Sequence, residues 1–214
     1  TLAISSAASD VYKRQLEGSI FMAGAIIDWL NKNLQVFDNY SELDDILINA
    51  EINPEVVMVP AFTGLGAPHW KPDSRASISG LTRDTNKKDI IVASIQSVSL
   101  QTYDLIKAIH EDTHDLLKKS FQGIKVDGGM TDNQWFLQNL SDICETKIIK
   151  SSEQEATALG AATLSALGSN EINDLSEFNV NSNETVEFLP IIKTPLRSKI
   201  IKNWDIAINK TIND

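Results

Sequence analysis

One cysteine, Cys144, stands alone among 214 residues. The chain can therefore form no internal disulfide, and it suits a reducing compartment such as the cytoplasm. Cations are scarce as well. Lys and Arg number 19 against 29 Asp and Glu, a net charge of −10. No basic stripe gathers them, which argues against nucleic acid or an anionic membrane surface as partner. No apolar run approaches the ~18 residues that span a bilayer, so no membrane span is expected. Of the few histidines, His110 and His114 lie four apart, as helical metal ligands would. No acidic or Cys ligand pattern accompanies them, so they read as a solvated face and no metal site is expected in the chain. An acidic protein can still bind a nucleotide, because helix N-termini and backbone amides hold phosphate without Lys or Arg.

What is present is ordinary for a soluble globular domain: 42% hydrophobic and 22% charged residues, enough for a sizeable core. The Thr1–Gln15 segment opens with a mildly apolar stretch, Thr1–Ala8, that lacks the basic start and continuous apolar run of a signal peptide. Its composition does not match that of the chain from Leu16 onward, so it is expected to be a foreign or disordered segment. The fold is expected to occupy residues 16–214.

Hydrophobic spacing lays out the elements. Ser19–Phe21 is short and apolar, and Met22–Leu34 has Met22, Ile26, Trp29 and Leu30 on one helical face. An acidic, helix-leaning stretch ends at Asn53-Pro54. Val56–Pro60 reads as a buried strand, Phe62–Asp73 as a loop, and Ala76–Leu81 as a second strand. Lys87–Lys119 is the longest helical region, with Ile91, Ile95, Val98, Leu105 and Ile109 as its inward stripe. Two strand–turn–helix units come next: Ile124–Val126 with Asn133–Cys144, then Lys147–Lys150 with Glu155–Leu167. Such units imply parallel pairing through crossover helices. Asn170–Asn183 is Asn- and Ser-rich, a surface connection, and Lys199–Ile212 is a closing amphipathic helix. The early strands are separated from these units by the long helix. The sheet should therefore be mixed and flanked by helices, an α/β fold of RNase H-like type.

The sharpest chemical signal is the Asp127-Gly128-Gly129 turn. Glycines leaving a buried strand let the backbone approach a ligand, and the next helix turns its unpaired N–H groups toward it. Thr131 or Asp132 could cap that helix. This is neither a Walker loop nor a dinucleotide fingerprint, whose spacing and Lys are absent, and many such glycine pairs merely make the turn. In Ala158–Ala162, Gly160 reads as a spacer that lets the helix pack closely on the sheet. In the Gly64–Trp70 loop (GLGAPHW), Trp70 reads as a core plug. His69 shows no identifiable partner and reads as structural, and Cys144 reads as core.

Four stretches then read together. LEGSIFMAGAIIDWL (16–30), VPAFTGLGAPHWKPDSRASISGLTR (59–83), KVDGGMTDN (125–133) and EATALGAA (155–162) occur in this order. They resemble the C-terminal half of glycerol kinases, within the wider FGGY carbohydrate kinases. The GLGAPHW loop with its GLTR sequel points to glycerol kinases among these relatives. The resemblance implies half of an actin/Hsp70-type ATPase, with ATP and Mg2+ in the cleft between two halves and ATP-dependent conversion of glycerol to glycerol 3-phosphate. It implies nucleotide contacts at Gly24, Gly128, Gly129 and Asn133. It also implies one at Asp28, where the family often has Gln. Gln96 and Tyr103 stand where Glu and Arg are more usual in the long helix. The family's general base, glycerol contacts and phosphate loop all precede the position of Leu16. No catalytic residue is therefore expected in this chain, and activity of the chain by itself is not expected. ATP or ADP and glycerol would be the partners, and a homo-oligomer is compatible with the sequence. Two rivals remain: another FGGY kinase acting on a pentulose or polyol, and a non-enzymatic ATP-binding module of the actin/Hsp70 type.

Overall fold

A computed structural model describes residues 3–5, 15–113, 123–150, 156–174 and 185–213. In chain order the elements are β1 (Ala3–Ser5), β2 (Gln15–Glu17), α1 (Gly24–Lys32), α2 (Tyr40–Ile48), β3 (Val57–Val59) and β4 (Ser77–Ser79). They continue with α3 (Lys87–Thr113), β5 (Ile124–Val126), α4 (Gln134–Cys144), β6 (Ile148–Lys150), α5 (Ala156–Gly168), β7 (Val186–Phe188) and α6 (Thr194–Asn213). Residues 3–5 pair antiparallel with 15–17, so part of the segment set apart on composition shares a main-chain ladder with the start of the coherent sequence.

β5 and β6 run parallel, Ile124 opposite Ile148, with α4 as their crossover. β7 adds antiparallel to β6, Phe188 opposite Ile148. The mixed sheet expected from the element order is therefore present, although the antiparallel strand is one that periodicity did not reveal. Val-Glu-Phe is too short to show alternation, and Val186 is exposed. The stretch 19–21 is not a strand; it leads into α1, while the strand before it is β2.

β3 shows why its sequence is continuously apolar. Val56 and Met58 face one core, with Ile26, Leu30, Ile91 and Leu137. Val57 and Val59 face a second, with Ile143, Ile200 and Trp204. Alternate side chains of a strand point to opposite faces, and here both faces are covered. The strand pairs antiparallel with β4, Met58 opposite Ile78.

α3 passes between these cores and is buried on every side from Ile91 to Gln101. An inward stripe describes only part of it. Two of its buried hydroxyls bond back to the helix: Ser94 Oγ donates to the Ile90 carbonyl at 2.7 Å and Ser97 Oγ to the Ser94 carbonyl at 2.6 Å, whereas Gln96 Nε2 and Ser99 Oγ have no partner among the described residues. Hydroxyls that bond back to their own helix remove most of the desolvation cost of burial.

α6 starts at Thr194 rather than Lys199. Thr194-Pro195 opens it, since Pro lacks only an N–H that the first turn leaves unused. Trp204 from this helix is fully buried, whereas Trp70, expected as a core plug, is 41% exposed. Arg197 locks α6 to the end of α4, donating to the carbonyls of Asp142 and Ile143 at 2.8–3.2 Å. Its guanidinium also lies 5.7 Å from the ring centroid of Tyr103. Among the described residues, a Cβ on Gly160 would meet no atom within 4 Å, so the close packing expected of it is not seen against them.

Candidate nucleotide cavity

A cavity of about 700 Å3 opens between α1, α2 and the turn after β5. Gly24, Asp28, Gly128, Gly129 and Asn133, the five residues singled out in the sequence, all line it. They come from positions more than a hundred residues apart, and the fold brings them to one space.

At the turn, β5 delivers Asp127 and then Gly128, whose φ of +89° favours glycine. Gly129–Asp132 forms one 3-10 turn, closed by the Thr131 amide and hydroxyl, which donate to the Gly128 carbonyl at 2.9 and 2.7 Å. This extra turn moves the start of α4 forward. The cap is accordingly neither Thr131 nor Asp132 but Asn133, whose Oδ1 accepts from the Phe136 amide at 2.7 Å. Asn133 also uses its other end: Nδ2 donates to Asp44 of α2 at 2.6 Å. Asp132 instead pairs with Lys150 at 2.9 Å.

Across the cavity, α1 begins at Gly24 with no side-chain cap. Ala23 and Gly24 line the same space, so the positive dipole end of the helix borders it, although the Ile26 amide is already used by the Ala23 carbonyl at 3.1 Å. Asp28 lies one turn further along and pairs with Lys32 at 3.3 Å. That pairing offsets part of the negative charge an anionic ligand would meet there. The rest of the wall combines an apolar face from Ile27, Leu43, Leu47, Met130 and Phe136 with the carboxylates of Asp44, Asp127 and Asp132, of which Asp44 accepts from Asn133 and Asp132 pairs with Lys150.

Among the described residues, a Cβ built on Gly24, Gly128 or Gly129 would meet nothing within 4 Å. At these three glycines the backbone itself is the wall, and side chains there would fill the cavity. Apolar faces for a flat ring, bare backbone beside it and a helix start for an anionic group together match the chemistry of a nucleotide. Among the described residues, no group of three or more His, Cys, Asp or Glu could hold a metal ion. Among them, too, no helix is long and apolar enough to cross a membrane. His114 lies outside the described residues.

Sequence reasoning missed the contribution of α2. Tyr40, Leu43, Asp44 and Leu47 all line the cavity, and their i, i+3, i+4, i+7 spacing was available as a signal. It also missed the partner of His69. His69 Nε2 lies 3.0 Å from Asp104 Oδ2, and the same carboxylate accepts from Trp204 Nε1 at 2.8 Å. A shallower groove of about 450 Å3 runs beside these residues. In it, burial first and then the Asp104 charge push the Asp205 carboxyl above its usual range, against the pull of Lys107.

Comparison with known proteins shows the family. Residues 7–169 match the model of the FGGY family of carbohydrate kinases, C-terminal domain. The chain is 35% identical to a glycerol kinase of Leptospira biflexa over 98% of its length, and 41% identical to one of Streptococcus gordonii over 92%. It covers 41% and 38% of those proteins, so it spans about two fifths of the curated relatives it matches. Among solved structures it is similar to Plasmodium falciparum glycerol kinase with ADP, with a TM-score of 0.81, 34% identity, and coverage of 96% of this chain and 40% of that one. A ligand-bound xylulose kinase from Lactobacillus acidophilus shares the fold, with a TM-score of 0.71 at 21% identity over 92% of this chain and 39% of that one. The α/β architecture expected from the sequence is thus the actin/Hsp70-like ATPase fold of these kinases. The chain belongs to the FGGY family of carbohydrate kinases, of which it carries the C-terminal domain.

Proposed function

We propose that this chain forms the nucleotide-side wall of a cytoplasmic kinase that phosphorylates glycerol to glycerol 3-phosphate with ATP and Mg2+. The carrying observation is the cavity itself, where Gly24, Gly128 and Gly129 leave bare backbone between two helix starts. When bound, ATP supplies the phosphoryl group. The residues of this chain hold and orient it. The faces of Ile27, Leu43, Leu47 and Phe136 take the base and exclude water from it. Asn133, fixed by its bonds to Phe136 and Asp44, presents a polar edge to the sugar and base. Gly128 and Gly129 let the backbone approach the adenosine portion, and the α1 start faces the phosphates. Lys32 restrains Asp28 so that its carboxylate is not left as a lone charge beside them. The general base and glycerol contacts lie outside this chain in this reading. Positioning of nucleophile, metal and phosphate together is what such transfer needs, and this domain contributes the nucleotide part.

Glycerol as acceptor rests on the named relatives and on the GLGAPHW loop. The complete enzyme containing this domain, assayed by ADP release, should turn over glycerol in preference to xylulose. Preference for xylulose would instead assign it to the pentulose kinases.

A further inference from the structure

The α1 start is held from a distance. The segment from Gly18 to Ala23 has no regular structure, yet it sets where Gly24 meets the cavity. On one side the Ala67 amide donates to the Ser19 carbonyl at 2.8 Å. Gly66 permits this approach, because a Cβ there would run into the Ser19 carbonyl and the Phe21 ring. On the other side lies α3. Gln101, only 7% exposed, sends Nε2 to the carbonyl of Met22 at 3.2 Å and to Ser97 of its own helix at 3.3 Å. Both amide protons are thereby used, and reversing the amide would set its oxygen against two carbonyls. Met22 is itself buried, so its carbonyl has no water to fall back on if the donor is lost.

We infer that Gln101 is a positioning residue for the nucleotide cavity, acting through the Met22 carbonyl to fix the α1 start at Gly24. Met22 is two residues ahead of Gly24, and Ala23 and Gly24 both line the cavity. Gln101 itself does not line it. A shift of the Met22 peptide is therefore passed directly to the wall that faces the phosphates. The inference rests on the nucleotide reading above but can fail separately from it.

The test uses the full chain labelled with 15N, wild type against Gln101→Met, which removes both donors and keeps the length of the side chain. Asn203→Ala is the control. It deletes a similar amide-to-carbonyl bond, to Pro54 at 2.8 Å, far from the cavity. Gln101→Met should shift the Gly24 amide resonance before any ligand is added and weaken ADP binding by about tenfold, the scale of one lost buried hydrogen bond. Asn203→Ala should lower the thermal midpoint comparably while leaving the Gly24 resonance and ADP affinity unchanged. An unmoved Gly24 resonance, wild-type ADP affinity in Gln101→Met, or an equal affinity loss in Asn203→Ala would each overturn the inference. If the wild-type chain binds no ADP, the nucleotide reading falls, and the Gly24 resonance alone decides whether Gln101 fixes this wall.

Discussion

Trp204 donates its indole N–H to Asp104 at 2.8 Å across 100 residues of sequence, and both side chains are buried. The second claim on that carboxylate, from His69 at 3.0 Å, ties the Gly64–Trp70 loop to α3 and α6 at one point. Removing the acceptor would leave the buried Trp204 N–H and the half-buried His69 ring nitrogen unpaired. Asp104→Ala should therefore cost about 2–4 kcal/mol, while Asp104→Asn, whose amide oxygen can still accept from Trp204, should cost much less. Chemical denaturation of the two variants gives the comparison. Equal losses would show that packing around the side chain matters more than its hydrogen bonds.

Asn133 performs two tasks that substitution can separate. Its Oδ1 caps α4 and its Nδ2 bridges to Asp44. Asn133→Ala loses both and should destabilise by about 1 kcal/mol, as N-cap deletions do. Asn133→Asp keeps the cap but sets a carboxylate against Asp44, so it should preserve most of the α4 stability while repelling α2. The check is ADP affinity beside the thermal midpoint. A marked affinity loss in Asn133→Asp with a nearly unchanged midpoint is expected.

Alkaline stability should depend on Cys144. Burial pushes its thiol up to about 12 from an ordinary 9.0, against the opposing pull of Arg197. The folded chain then holds the thiol proton more tightly than the unfolded chain does. This contribution is fully present below about pH 9 and is lost progressively as the pH rises from 9 towards 12, by an amount on the order of a few kcal/mol. Cys144→Ala should flatten the decline in stability between about pH 9 and pH 10.5 relative to wild type. Parallel curves for the two proteins would place the thiol in a more polar setting.

The part of the candidate site around Asp127–Asn133 was legible in the sequence because its signals are local, whereas Gly24 and Asp28 were reached only through the family resemblance. Strand, glycine pair and helix succeed one another over a short stretch of chain, and the five candidate residues meet in one cavity. What escaped was nonlocal or short. The capping role went to Asn133 because a 3-10 turn intervened, and no periodicity announces a single turn. The partner of His69 lies 35 residues away on another element, where no spacing rule reaches. Trp70 and Trp204 are equally apolar by composition, and only the path of the chain decides which is buried. The GLGAPHW loop, diagnostic in sequence, also owes its glycines to packing. Gly64 has a φ of +84° and would clash with the Pro72 backbone if it carried a side chain.

In the proposed reading, the nucleotide lies against the bare backbone of the Asp127–Gly129 turn. Gly129 is suited to test it, since its φ is not in the left-handed region and an added Cβ meets no atom within 4 Å among the described residues. Gly129→Val should therefore fold normally yet fill the cavity. In titration calorimetry the wild-type chain should bind ADP, and Gly129→Val should lose at least about tenfold in affinity, ~1.4 kcal/mol, with its thermal midpoint unchanged. ADP binding of equal strength in both proteins would place the nucleotide away from this turn.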